Sequence, residues 1–125
     1  MAQDFKKLRV WKEGIELSKS IYRVTRCFPA SELFGLTSQL RRAAVSVPTN
    51  IAEGCGRSSS ADFLRFLYLS FGSVKEVESL LILSKEVGYL KEKDTISQLE
   101  KVDEVGRMLN RLITAIKGGK DVSGD

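Results

Sequence analysis

The sequence predicts an all-α protein, an antiparallel up-down-up-down four-helix bundle, from three observations. Apolar residues recur at spacings of three and four through four separate segments. The connectors between these segments are short and contain proline, glycine or serine, and short connectors favour antiparallel neighbours. The chain has 125 residues, of which 42% are hydrophobic and 29% charged, as in one soluble domain with one core. We therefore expect residues 1–125 to form a single bundle domain.

The first helix is expected over residues 7–27. Two apolar stripes give it a wide face, which an amphipathic helix buries against a core. Phe28-Pro29 ends the segment, because proline disfavours helical conformation at the residue before it. Trp11 and Tyr22 lie on the apolar face, so core packing is favoured for both rings, with stacking on nucleic-acid bases as the alternative.

The second and third helices are expected over residues 38–55 and 61–87. Thr37 is the predicted N-cap of the second helix. Ser59, followed three residues later by Asp62, resembles a capping box at the start of the third. Glycines follow both helices, as is common where helices end.

The start of the third helix is unusually apolar, with seven apolar residues among the nine at 63–71. A buried strand is the alternative for so dense a run. The helical spacing continues through Val74, Val77 and Leu81, which favours a helix. A helix that is apolar on most sides must be buried on most sides, so we expect a second subunit to cover part of it.

Pro48 lies in the interior of the second helix. An internal proline removes one backbone hydrogen bond and costs about 3 kcal/mol, so a kink is predicted at this position. The carbonyl of Ala44 loses its usual donor. We expect the hydroxyls of Ser46 and Thr49, in the same helix, to satisfy it.

The fourth helix is expected over residues 93–117, with an apolar stripe that ends at Ile116. Gly118 and Gly119 end it. Residues 118–125 are predicted to form a flexible tail.

Composition argues against catalysis. The chain has no histidine, which removes the commonest general base and the commonest metal ligand. Cys27 and Cys55 are too few for a zinc site and are expected to be free, mostly buried thiols of a cytoplasmic protein. No phosphate-binding glycine loop, secretory signal or membrane-length apolar run is present. We expect no enzyme and no cofactor, with carboxylate-only chemistry as the remaining enzymatic alternative.

Charge is unevenly distributed along the chain, which has a net charge of +4. Residues 1–57 hold ten Lys/Arg against five Asp/Glu, whereas residues 58–125 hold ten against eleven. This asymmetry is compatible with a surface that binds a polyanion, although charge alone favours a solvated basic face. The predicted phosphate contacts are Lys6, Lys7, Arg9, Lys12, Arg41 and Arg57.

A column of polar residues shares one face of the second helix, because its members are three or four residues apart. It has two interpretations, a polar network that fixes the register of the helices and a ligand surface. The network would join the second and third helices through Arg42, Ser46, Asn50, Glu53, Ser73 and Glu76.

Arg41 and Arg42 are adjacent and so point about 100 degrees apart on a helix. If Arg42 faces inward, Arg41 is the more exposed and the better phosphate contact. Arg57 precedes three serines at the predicted start of the third helix, where an anion could also bind.

The run from Gly35 to Pro48, followed by Asn-Ile-Ala-Glu-Gly at positions 50–54, resembles the 23S ribosomal RNA intervening-sequence protein family. Trp11, Phe28-Pro29 and Gly88-Tyr89-Leu90 extend the resemblance. It implies a helical bundle that assembles into a homopentamer and binds RNA or DNA, without catalytic residues. The accessory variability protein of diversity-generating retroelements is similar to this family.

Two functions follow as hypotheses. The first is a homo-oligomeric accessory protein that binds RNA or another nucleic acid. The second is an oligomeric scaffold that binds a protein partner and has no direct role with nucleic acid.

Overall fold

The computed structural model describes residues 4–119, which form four α-helices and no β-strand. They are α1 (Arg9–Thr25), α2 (Leu36–Cys55), α3 (Ser60–Glu86) and α4 (Glu92–Lys117). The all-α prediction is confirmed. The apolar run at 63–71 lies inside α3, so the alternative of a strand there is wrong. Most of the predicted flexible tail, residues 120–125, lies outside the described residues.

α1 begins at Arg9 and not at residue 7, because Phe5–Lys7 forms a separate 3-10 turn. The Asp4 carboxylate caps this turn by accepting a hydrogen bond from the Lys6 backbone N–H at 3.1 Å. Phe5 packs edge-on against Trp11, with 5.0 Å between ring centroids. The turn therefore covers the tryptophan ring, which packs partly buried against the core.

The start of α2 differs from the prediction, because Gly35 and not Thr37 is its N-cap. The Glu32 carboxylate accepts hydrogen bonds from the Leu36 backbone N–H and from the Tyr89 hydroxyl, both at 2.9 Å. The hydrogen bond from the Leu36 N–H, and to a smaller extent that from the Tyr89 hydroxyl, lowers the pKa of Glu32 from its ordinary value. A Cβ added at Gly35 would lie 2.6 Å from this carboxylate, so a larger residue would displace the cap. The Glu32 side chain, which is held by the distant Tyr89, thus replaces the predicted threonine cap.

α1 and α2 pack closely and run antiparallel, since Gly14 lies against Pro48 and Ser18 against Ala44. A Cβ added at Gly14 would lie 3.2 Å from the Pro48 ring. The hydroxyl of Ser18 lies 3.1 Å from the Ala44 carbonyl oxygen, which Pro48 deprives of its usual donor. The Ser18 hydroxyl, which also lies 3.0 Å from the Gly14 carbonyl oxygen, shares its hydrogen between these two carbonyls. Ser46 and Thr49 of α2, which were expected to satisfy the Ala44 carbonyl, do not bond to it. The kink itself stays a prediction.

α3 starts as predicted, with Ser59 as its N-cap accepting a hydrogen bond from the Asp62 backbone N–H at 3.1 Å. α3 packs against α2 through Ser70, whose hydroxyl donates to the Val47 carbonyl at 2.8 Å. α3 ends before Gly88, whose φ of +89° is a conformation that favours glycine. The apolar interior is continuous through all four helices, and its most enclosed side chains include Leu17, Ile21, Leu40, Ile51, Phe63, Leu67, Leu81, Leu109 and Leu112.

α4 closes the bundle against α1 and α3. The buried hydroxyl of Ser20 in α1 donates to the Gln98 side-chain oxygen in α4 at 2.7 Å. Both side chains are almost fully enclosed, so each depends on the other for its hydrogen bond. With α4 on one side and α2 on the other, α1 exposes one remaining face to solvent.

Candidate nucleic-acid interface

The six predicted phosphate contacts do not lie together. α1 and α2 are antiparallel, so the beginning of α1 and the end of α2 share one end of the bundle. Lys6, Lys7, Arg9 and Arg57 lie at that end, and Arg41 lies towards the other, beside Thr25. Lys12 lies between them on the outer side of α1. All are exposed except Arg41, which is half-buried.

Arg57 is held within the chain. Its guanidinium lies 3.9 Å from the Asp62 carboxylate and 4.5 Å from the centroid of the Phe66 ring. Ser59 caps α3 at the same place. The turn predicted as a possible anion site therefore already contains the carboxylate of Asp62, which makes Arg57 the weakest of the six candidates.

Arg41 and Arg42 have orientations opposite to those expected. The Arg41 Nε donates to the Thr25 hydroxyl at 2.8 Å, and its guanidinium lies over the Tyr22 ring, 4.6 Å from the centroid. Arg42 is exposed, and within residues 4–119 it has no hydrogen-bond or ion-pair partner. The reason is that α1 packs on the side of α2 that carries Arg41, which leaves the side that carries Arg42 in solvent.

The polar column of α2 is hydrogen-bonded only in part. The Asn50 amide donates to the carbonyl and the hydroxyl of Ser46, both at 2.9 Å, and the Ser73 hydroxyl in α3 bonds to the Ser46 hydroxyl at 2.9 Å. Glu53 and Glu76 are exposed and, like Arg42, have no such partner in the described part of the chain. The predicted six-residue network is therefore reduced to three half-buried residues that join α2 to α3.

The outer side of α1 carries a line of cations, here named the α1 basic face: Lys12, Lys19, Arg23 and Arg26. All four are exposed. Lys19 pairs with Glu16 at 3.2 Å, whereas Lys12, Arg23 and Arg26 have no carboxylate within 4.0 Å among residues 4–119. Sequence reasoning counted these cations but assigned only Lys12 to the site. Their spacings of seven, four and three opposite the apolar stripe were the signal that could have found the others.

Tyr22 lies beside this face and not in the core, so the expectation of core packing is wrong for this ring, which is 43% exposed. It lines a cavity of about 360 Å³ with residues of α1 alone: Ile15, Ser18, Lys19, Arg23 and Arg26. Three of these residues are cationic. The cavity therefore combines an aromatic ring with positive charge.

The described residues offer neither a metal-binding cluster nor a reactive buried thiol. No cluster of three or more Cys, Asp or Glu suited to a metal occurs among them. Cys55 is buried, as expected, but Cys27 is exposed. Burial, and secondarily Asp4, raises the pKa of Cys55 to about 11, so this thiol is protonated and unreactive at neutral pH. None of the helices in the range 4–119 is long and apolar enough to cross a bilayer.

Fold and surface together define a small all-helical protein whose most distinctive exposed feature is a basic helix face. The family described as 23S rRNA-intervening sequence protein matches residues 6–111, so the chain belongs to that family. Among solved structures, it is similar to a protein of unknown function from the S23 ribosomal protein family of Bacteroides thetaiotaomicron VPI-5482. The two share 23% identity and a TM-score of 0.75, over 83% of this chain and 97% of the other. No curated protein matches the chain.

Proposed function

We propose that this protein binds nucleic acid, and RNA in particular, through the α1 basic face, and that it does so without catalysing a reaction. The observation that carries the proposal is the alignment of exposed cations, most of them without a carboxylate partner in residues 4–119. From Lys12 to Arg26 the face extends about 21 Å along the helix. A polyanion with regularly spaced charges is the ligand that such a line of cations suits.

RNA is favoured over DNA by family membership, since the family takes its name from sequences that interrupt 23S ribosomal RNA. The similarity to the retroelement accessory protein, inferred from sequence, supports the same class of ligand. Arg41 extends the proposed surface at the end of α1, whereas Arg57 contributes less because Asp62 already compensates its charge.

We include self-association in the proposal, with five copies as the number that the family resemblance implies. Its support is a set of exposed apolar side chains, led by Phe34, which is 93% exposed in the single chain. Leu33 beside it, Leu69 and Leu83 on α3, and Val87 directly after α3 are each about half exposed. A protein with this much exposed apolar surface commonly buries it against a partner.

Light scattering coupled to size-exclusion chromatography tests this part of the proposal. We expect an oligomer, and we expect Phe34→Ser to weaken it. Lys101→Ser, on the exposed side of α4, is the matched control. A wild-type monomer at all protein concentrations would contradict self-association without bearing on nucleic-acid binding.

Fluorescence anisotropy with nuclease-treated protein tests binding itself, using structured RNA, single-stranded RNA and duplex DNA across a salt series. With about four phosphate contacts, log K should fall against log salt with a slope of about −3 for single strands and −4 for duplex. Binding that is absent at low salt, or insensitive to salt, would contradict the proposal.

The second candidate function is a protein-binding scaffold, which the exposed apolar residues favour independently of charge. It predicts a stoichiometric protein partner that is retained after nuclease treatment and lost on Phe34→Ser. The scaffold becomes the better hypothesis if wild-type protein binds no nucleic acid at low salt.

A further inference from the structure

Tyr22 is held in place as an exposed aromatic platform. The Arg41 guanidinium lies 4.6 Å from the centroid of its ring, which favours one position of the ring by cation–π attraction. Arg41 is itself fixed by the Thr25 hydroxyl, which accepts from its Nε at 2.8 Å and donates to the Ile21 carbonyl at 2.7 Å. Because these contacts order the ring before any ligand arrives, a ligand that stacks on it loses less conformational entropy.

Part of the Tyr22 ring is open to a ligand, since this residue is 43% exposed. Arg41 lines a second cavity, together with Thr25 and Arg26, and does not line the cavity that contains Tyr22. The guanidinium therefore leaves free the part of the ring that faces the first cavity. That cavity has a volume of about 360 Å³, which lies within the range of about 300–1,000 Å³ typical of small-ligand sites.

The remaining walls of the cavity suit a base with its backbone. Ile15 offers an apolar wall, while Lys19, Arg23 and Arg26 place positive charge around the opening. The Ser18 hydroxyl already bonds within the protein, to backbone carbonyls at 3.0 and 3.1 Å. The site thus offers stacking and charge, with few free groups for reading base identity. Stacking with charge is how proteins bind single strands with little sequence preference.

We propose that this cavity receives one unpaired base of a single strand, stacked on Tyr22, while Arg23 and Arg26, which have no carboxylate partner in residues 4–119, contact the neighbouring phosphates. This inference rests on the proposed function and adds the strand type and the position of one base. In a duplex the faces of the bases are already stacked on each other, so a duplex reaches the cations but not the ring.

Tyr68 on α3 supplies a matched comparison. It is 50% exposed, similar to Tyr22, but no described cation lies over its ring. A tyrosine that merely contributes exposed apolar area would behave alike at both positions. If Tyr22 is a stacking platform, a substitution at Tyr22 should weaken the binding of a single strand, and the same substitution at Tyr68 should not.

The test measures the affinity of Tyr22→Leu, Tyr22→Phe and Tyr68→Leu for a single-stranded RNA and for a duplex RNA hairpin, by anisotropy over a salt series. Stacking contributes about 1–3 kcal/mol per base, so Tyr22→Leu should weaken single-strand binding by about tenfold. The salt slope and duplex affinity should not change, because no cation is removed. Tyr22→Phe and Tyr68→Leu should bind like the wild type.

A fluorescent base analogue, 2-aminopurine, placed in the single strand gives a readout of stacking itself. Its emission should be quenched on binding to wild type and to Tyr22→Phe, and quenched less by Tyr22→Leu. Thermal melting establishes that each variant is folded.

The outcomes separate this inference from the function on which it rests. If Tyr22→Leu binds both ligands like Tyr68→Leu while Arg23→Gln with Arg26→Gln loses affinity, the base site is overturned and the proposed function stands. If wild-type protein binds neither strand type, the proposed function fails and the base site fails with it. If free adenosine monophosphate competes as well as the strand, the site takes single nucleotides and the single-strand assignment is overturned.

Discussion

The outer faces of α1 and α4 differ in how their charges are arranged, although both helices enclose the same core. α4 carries five acidic and five basic residues, with Glu92 and Asp94 in its first turn and Lys117 in its last. Arg107 and Asp103, one turn apart, form an ion pair at 3.4 Å. α1 has four basic and two acidic residues, begins with Arg9, and has no acidic residue in its first turn.

The comparison separates charges that stabilise their own helix from charges that do not. Acidic residues at a helix N-terminus and basic residues at its C-terminus each contribute about 0.3–1 kcal/mol, so the charges of α4 stabilise α4. Arg9 and Lys12 near the N-terminus of α1 oppose the helix dipole and contribute nothing of this kind. Arg23, in the last turn of α1, is placed favourably for the dipole, so the dipole leaves only Arg9 and Lys12 unexplained.

The largest expected effect comes from reversing charge on each face. Arg23→Glu with Arg26→Glu should weaken RNA binding by at least about a hundredfold at low salt, because two phosphate contacts become repulsive. The control is Arg107→Glu with Arg111→Glu on α4, which should change affinity by less than about threefold. Anisotropy measures both. Equal losses from the two variants would mean that only net charge matters and that α1 is not the interface.

A change of about 1–3 kcal/mol in the free energy of unfolding is expected from Gln98→Leu, which leaves the buried Ser20 hydroxyl without its partner. Ser20→Ala combined with Gln98→Leu should recover part of this loss, since both polar groups are then removed. Denaturant unfolding of the wild type, Ser20→Ala, Gln98→Leu and the double variant measures the four free energies of unfolding. RNA affinity should not change, because both side chains are buried and uncharged. Loss of affinity in a folded variant would mean that the position of α1 controls binding.

Arg41→Ala should lower stability by about 1 kcal/mol, because it removes the bond to Thr25 and the contact with Tyr22. Arg42→Ala should change stability by less than about 0.5 kcal/mol, as expected for an exposed side chain without partners in residues 4–119. Arg41→Ala should also reduce the salt slope by about 0.7, whereas Arg42→Ala should not. Thermal melting and anisotropy test the pair, and the opposite ranking would favour the orientation first inferred from sequence.

The smallest effect is a pH dependence at the start of α2. The folded state lowers the pKa of Glu32 from its ordinary value, so the ionised carboxylate stabilises the folded chain above that ordinary pKa. This contribution is lost as pH falls through the folded-state pKa. Glu32→Gln should therefore melt below wild type at pH 7, and the difference should disappear in acid. Glu53→Gln, at an exposed carboxylate without a partner in the described range, should show no such difference at either pH. A difference in melting temperature between Glu32→Gln and the wild type that stays the same at all pH values would mean that the carboxylate charge does not stabilise the cap.

Local patterns predicted the local features well. The four helices follow from the spacing of apolar residues, and the Ser59 cap from two residues three positions apart. The start of α2 was missed, because its cap comes from Glu32, whose carboxylate is held in turn by Tyr89. No local pattern links residues 57 positions apart in the chain.

The candidate site was predicted only in outline. Periodicity shows which residues share a helix face, and the excess of cations in residues 1–57 indicated a basic surface. It does not show which neighbouring helix covers which face. Because α1 packs against the side of α2 that carries Pro48, Arg41 is half-buried and Arg42 is exposed. Tyr22 remains at the surface.

The sequence by itself determined the helical class, the family and the sign of the surface charge, because each depends on composition or on spacing within one segment. The tertiary structure decided that Ser18 lies within hydrogen-bond distance of the carbonyl freed by Pro48. It also decided that Lys12, Lys19, Arg23 and Arg26 share an exposed face, of which only Lys12 was among the six predicted contacts. These features depend on how each helix is rotated about its axis when it packs. That rotation is set by contacts between residues far apart in the chain.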